Sequence, residues 1–126
     1  WNIDKIDNIP CNVQWAVAIY PAYALTDGAE KPNANGGNLD GDRLVPEFSF
    51  DLATPPVLFI HGDADGWAAM NSVKAWEQLR RMGVQGGLHT LAKRNHCFQK
   101  KASPGTGSYT WMDRQWDFLT RKGFNK

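Results

Sequence analysis

Two stretches of this chain are apolar almost without a break, Gln14-Trp-Ala-Val-Ala-Ile-Tyr20 and Pro56-Val-Leu-Phe-Ile-His61. A strand with one wet face alternates apolar and polar side chains, whereas an unbroken apolar run has two faces to cover. Strands of that kind belong to parallel sheets, whose crossover connections lay helices over both faces. The pair points to an α/β architecture.

After the second run comes a turn, His61-Gly-Asp-Ala-Asp-Gly66. Met70, Val73, Trp76 or Glu77, Leu79 and Met82 then recur at helical spacing as far as Gly83. Lys74, Gln78, Arg80 and Arg81 form the polar face of that helix, and Gly83 supplies the left-handed residue with which many helices end. A third strand is predicted over 88–92. A second helix is predicted over 109–122, with Trp111, Met112, Trp116 and Leu119 at its apolar positions. Between the first two strands lie some thirty-five residues rich in Asn, Gly, Asp and Pro, longer than compact domains tolerate without a purpose. They read as a solvated, turn-rich insertion with a short helix near Leu52, or as a lid. No internal repeat and no second domain is visible.

Three such strands with flanking helices make an incomplete sheet. The run from Trp15 to Tyr20 would form a long hydrophobic edge, which folded proteins pair or cover. Residues 1–126 are therefore expected to be a partial domain that needs a complement.

Composition narrows the function. Fourteen basic against thirteen acidic residues leave a net charge of +1, and Lys93-Arg94 and Lys100-Lys101 are too short to form the basic tract that nucleic acid favours. Apolar runs of about six residues fall far short of the roughly 20 that cross a bilayer. The chain reads as soluble, and its compartment stays open. Cys11 precedes the first strand and Cys97 follows the third, at opposite ends of a sheet roughly 15–20 Å deep, so both are expected as free thiols.

Asp65 and His96 fall just beyond the carboxyl ends of the second and third strands. Sites of parallel α/β sheets assemble at that edge. A carboxylate there can accept the Nδ1 proton of an imidazole, fix its tautomer, and stabilise the imidazolium formed when Nε2 takes a proton from a nucleophile. Each residue alone has an ordinary explanation, Asp65 as a turn former or helix cap and His96 as a surface or packing residue.

The words around the pair are more specific. Pro55-Pro-Val-Leu-Phe-Ile-His-Gly-Asp-Ala-Asp65, followed by Asn71-Ser72, Trp76-Glu-Gln-Leu79, Gly83-Val84, Leu88-His89 and Asn95-His-Cys-Phe98, resembles the C-terminal part of α/β-hydrolase-fold esterases. The likeness is to acetylxylan and feruloyl esterase-like carbohydrate esterases and their prolyl-oligopeptidase-like relatives. Trp15 to Tyr23 resembles the strand those enzymes place after the nucleophile helix, and the resemblance covers 12–123. It implies that Asp65 is the triad acid, that His96 is the general base, and that the serine precedes Trp1. No Gly-x-Ser-x-Gly elbow occurs: Ser49, Ser72, Ser103 and Ser108 all lack its glycines, and a His-Gly-Gly oxyanion loop is absent too. The implied activity is serine-dependent hydrolysis of an acylated carbohydrate or small ester. It requires the upstream half of the domain, and the chain alone is expected to be inactive. A prolyl-oligopeptidase-like peptidase and a non-catalytic hydrolase-like binding module are the alternatives.

The sequence departs from that family where Gly66-Trp67 replaces a Pro after the acid and where Asn95 and Cys97 replace the glycines flanking the histidine. Asp63 is the alternative acid, but the six-residue spacing from Asp65 to Asn71 matches the family. His61 is expected to close its strand and His89 to alternate on the third, both structurally. A cysteine nucleophile at Cys97 is disfavoured because neighbours on an extended loop point apart. Asp63-x-Asp65-Gly and the Asn/Asp-rich stretch 33–42 fail the calcium-loop template, and His89, His96 and Cys97 lack zinc spacing, so neither metal nor cofactor is expected. Among the tryptophans, Trp15, Trp76, Trp111 and Trp116 read as core or interface. Trp67, beside the acid, and Tyr23, just past the first strand, are expected to line the substrate pocket.

Overall fold

The computed structural model describes residues 13–26, 43–65, 69–98 and 110–123. Its elements run β1 (Ala16–Ile19), β2 (Leu25–Thr26), β3 (Arg43–Leu44), β4 (Val57–Gly62), α1 (Met70–Arg81), β5 (Gly86–Leu91) and α2 (Trp111–Arg121). Three of the strands form a parallel sheet in the order β1-β4-β5, with Ala16 opposite Val57 and Val57 opposite Gly86. The α/β class expected from the apolar runs is the one observed. The sheet is short, and the outer edge of β1 has no strand partner among the described residues.

Every residue of β4 is buried. Val57 and Phe59 point to one face and pack with Ala75, Leu79 and Val84, while Leu58 and Ile60 point to the other and pack with Phe98, Phe118 and Leu119. β1 repeats the alternation, with Ala16 and Ala18 on the α1 side and Trp15, Val17 and Ile19 on the α2 side. A two-faced strand therefore organises a helix on each side, as its unbroken apolar sequence requires. α1 ends as expected, with Gly83 at φ +77°.

Four details differ from the sequence reading. The long insertion is not plain loop at its ends, because Leu25–Thr26 and Arg43–Leu44 pair as an antiparallel bridge against α1; its middle, 27–42, lies outside the described residues. No helix forms near Leu52, which is 83% exposed. Asp51 and Thr54 close a turn there instead, Asp51 Oδ1 accepting from Ala53 N and Thr54 Oγ1 accepting from Asp51 N, which satisfies the backbone locally. The buried stripe of α1 is Asn71, Ser72, Ala75 and Leu79, not Met70, Val73 and Met82. Two polar residues occupy it because their side chains find partners inside, as described below. On α2, Phe118 and Leu119 are buried and Trp111 packs inward, whereas Met112 and Trp116 face out, Trp116 at 62% exposure. Position 112 lies one residue, about 100° of helix, away from 111, so both cannot share the buried side.

The carboxyl edge of the sheet is where two loops are tied together. Asp63 N donates to Leu91 O at 3.1 Å and Ala64 N to Arg94 O at 3.1 Å, so the loop after β4 runs alongside the loop after β5. Gly62 makes that approach possible, since a Cβ there would collide with the carbonyl of Arg94. Gly62→Ala is therefore expected to destabilise the chain by about 1–3 kcal/mol, read as a lowered urea midpoint. An unchanged midpoint would show that the two loops separate freely.

Candidate active site

Asp65 and His96 come together. Asp65 ends a tight turn in which its N–H donates to Gly62 O at 3.2 Å, and His96 follows the β5 loop that this turn holds. His96 Nδ1 lies 2.9 Å from Asp65 Oδ2; the carboxylate is 0% exposed and the imidazole 34%. The carboxylate can only accept, so Nδ1 carries the proton and Nε2 is left as a basic lone pair on a ring that solvent reaches. Asp63, two residues earlier, is exposed and has no part in this bond.

An aromatic ring also packs against His96. The Tyr20 ring lies 4.4 Å from the imidazole centroid at 57°, and Phe98 meets Tyr20 edge-on at 5.5 Å. In the sequence Tyr20 stands only as the end of a strand. Its place at the carboxyl end of β1 is the signal that could have revealed it. Its φ of 41° puts it in the left-handed region, as do 61° at Tyr23 and 56° at Cys97. The extended loop expected at His96-Cys97 is thus a turn, in which this chain bends a cysteine backbone into the region that glycine favours.

His61 does more than close its strand. It is fully buried, with Nδ1 2.7 Å from Ser72 Oγ and Nε2 3.0 Å from Asp65 Oδ2. Burial holds its pKa below the ordinary imidazole value, against the pull of the neighbouring Asp65 carboxylate and with a smaller push from His96. His89, on β5, is also lowered, chiefly by burial and then by Arg114 of α2. The alternation of β4 carried the signal for His61: with Val57 and Phe59 it points to the α1 side, where Ser72 lies.

The other sequence candidates are spread around this edge. Tyr23 is 49% exposed just beyond β1, and Cys97 is a half-buried free thiol. Trp67, Cys11, Ser103 and Ser108 lie outside the described residues. Ser49 is exposed, far in sequence from both loops, and Ser72 is buried in the first turn of α1. A cavity of about 430 Å³ lies elsewhere, between β3 and α1. In its wall Glu77 pairs with Lys74 and Arg81, and the lining contains none of the groups gathered around Asp65.

The same arrangement of strands and helices occurs in solved structures. The chain superposes on an acetyl ester-xyloside bifunctional hydrolase from Caldicellulosiruptor lactoaceticus with a TM-score of 0.74 and 21% identity, over 98% of this chain and 47% of that one. A carboxylesterase from Lactobacillus plantarum matches with a TM-score of 0.65 and 16% identity, over 94% of this chain and 48% of that one. The fold is that of part of an α/β-hydrolase. A sugar hydrolase from Lactococcus lactis shares this hydrolase fold, with a TM-score of 0.60 and 16% identity, over 98% of this chain and 52% of that one. The chain spans about half the length of each of these structures. No protein-family model matches the sequence, and no curated protein does.

Two expectations follow for this part of the hydrolase fold. Cys97→Val places a β-branched side chain at φ 56° and is expected to cost more than about 1 kcal/mol in thermal unfolding, whereas Cys97→Gly costs nothing. His61 and His89 bind a proton less readily folded than unfolded. The unfolded chain therefore takes up protons first as pH drops below about 6.5. Stability is expected to be flat above about pH 7 and to fall as pH drops through that value, with a shallower fall in His61→Gln; equal slopes would remove His61 from the account.

Proposed function

We propose that residues 1–126 supply the acid, Asp65, and the general base, His96, of a serine-dependent carboxylic ester hydrolase whose nucleophile half lies outside them. The observation that carries this reading is the 2.9 Å bond from His96 Nδ1 to the buried Asp65 carboxylate, which leaves Nε2 of a partly exposed ring as the base. In this reading His96 Nε2 takes the proton of the serine as its oxygen attacks the ester carbonyl. The same nitrogen returns the proton to the leaving alcohol and then activates water against the acyl-enzyme. Asp65 stays ionised throughout and stabilises the imidazolium.

The substrate class is an acylated carbohydrate or another small carboxylic ester. That choice is supported by the resemblance of the segments around Asp65 and His96 to carbohydrate esterases, and by the ester and sugar hydrolases that share the fold. We assign Tyr23 and Trp67 to the wall of the substrate pocket, Tyr23 because it stands exposed beyond β1 on the edge of the site, and Trp67 because it follows the acid in sequence. Among the described residues no serine is both accessible and beside His96, which supports placing the nucleophile outside this chain.

The test is made on a polypeptide that joins this chain to the proposed nucleophile half, using p-nitrophenyl acetate turnover and labelling by a fluorophosphonate. His96→Ala is expected to lower kcat by about a thousandfold or more and to abolish labelling, with KM nearly unchanged. Asp65→Asn is expected to lower kcat by a similar order. The 126-residue chain alone should neither turn over nor label. A His96→Ala enzyme within tenfold of the parent would end the proposal.

A further inference from the structure

His61 is a buried, titratable group that the proposed chemistry does not use. Both of its ring nitrogens are engaged, Nδ1 with Ser72 Oγ at 2.7 Å and Nε2 with Asp65 Oδ2 at 3.0 Å. Because the carboxylate only accepts, Nε2 carries the hydrogen. On a ring kept neutral by burial, Nδ1 is then the acceptor of the Ser72 hydroxyl proton. His96 Nδ1 reaches the same Oδ2 at 2.9 Å, so one carboxylate oxygen receives two imidazole N–H donors from opposite sides in sequence.

Ser72, His61 and Asp65 have the residue types of a catalytic triad, but they do not form a second one. All three are buried, and the Ser72 hydroxyl is committed to His61 within the first turn of α1, so no ester reaches it. Nor is the imidazole there to fill space. Val57 and Phe59 occupy the same face of β4, and an apolar side chain at position 61 would extend that face without a buried polar ring to satisfy. What the imidazole adds is a rigid donor with its orientation set at both nitrogens.

We propose that His61, oriented by Ser72, is a positioning residue that holds the Asp65 carboxylate with Oδ2 turned to His96 Nδ1. This rests on the reading of Asp65 and His96 as acid and base, and it names the buried groups that aim the acid. The carboxylate sits on a turn, not in a strand, so its aim depends on side-chain contacts, of which the 3.0 Å bond from His61 Nε2 is one made from the buried side. Aiming it fixes the His96 tautomer and thereby the direction of the basic Nε2.

The test is imidazole nitrogen–proton NMR on the full 126-residue chain labelled with [15N]histidine at neutral pH. In the parent, His61 is expected as the Nε2–H tautomer and His96 as the Nδ1–H tautomer, with slow exchange of both protons. In His61→Leu, His96 is expected to populate both tautomers and its ring N–H to exchange at least about tenfold faster, while the backbone signals of 57–60 persist. His61→Gln, whose amide offers a donor of similar reach, is expected to restore the parent His96 signature. The opposite ranking, with Leu leaving His96 unmoved, would overturn the proposal, as would finding His61 protonated at Nδ1. Should His61→Leu not fold, Ser72→Ala decides: faster exchange of the His96 N–H supports the proposal, and an unchanged signal overturns it. In a polypeptide that joins this chain to the proposed nucleophile half, His61→Leu is expected to lower kcat about ten- to hundredfold at constant KM. If that polypeptide has no esterase activity the functional reading fails, while the NMR result still decides whether His61 positions Asp65.

Discussion

The structure depends on a single strand that is buried on both faces and bonded along both edges. β4 pairs with β1 on one side and β5 on the other, and all six of its residues are buried. Each of Val57, Leu58, Phe59 and Ile60 gains roughly 1.5–3 kcal/mol by leaving water, whereas a hydrogen bond contributes about 1 kcal/mol net. The apolar alternation therefore sets where α1 and α2 lie, and the polar groups at the end of the strand accept the geometry it imposes. That alternation also sends His61 to the α1 side.

The polar groups are not scattered. His61, Asp65, Asn71 and Ser72 are the buried polar side chains among the described residues, and all four belong to the end of β4, the turn after it or the first turn of α1. Asn71 Oδ1 accepts from Ala24 N at 2.8 Å, which ties the segment after β1 to the same helix turn. A buried polar group is tolerated when its partners are in place, so this cluster locks the segment after β1 to the start of α1 while the backbone bonds to Arg94 O and Leu91 O hold the loop after β5. The non-glycine residues at positive φ, Tyr20, Tyr23, Lys93 and Cys97, lie in the loops after β1 and β5 at this edge. Backbone strain of that kind persists where surrounding contacts over-determine it, and it gathers at sites. Core packing supplies the free energy, and the carboxyl edge uses it to hold unusual backbone and buried charge.

The hydrolase-like half fold was legible because its signals are local. Unbroken apolar runs, a helical repeat ended by Gly83, and an acid and a histidine placed after parallel strands are all written in neighbouring residues. So was the choice of Asp65 over Asp63 as the carboxylate beside His96, through its spacing to Asn71. Less legible were the buried sides of the helices. The stripe of α1 includes Asn71 and Ser72, which a count of apolar residues passes over, and α2 turns Trp116 outward although it is as apolar as the inward-packing Trp111.

By itself the sequence determined the parallel α/β class and the place of an acid and a histidine just past two strand ends on one edge, since each follows from residue type and order. Only the tertiary structure decided that His61 and Ser72 stand behind that acid, that Tyr20 covers the face of His96, and that Gly62 lets two loops run side by side. The reason is physical: such contacts join residues from different elements, and whether two side chains meet depends on the packing angle and register of strands and helices. No single segment carries that information.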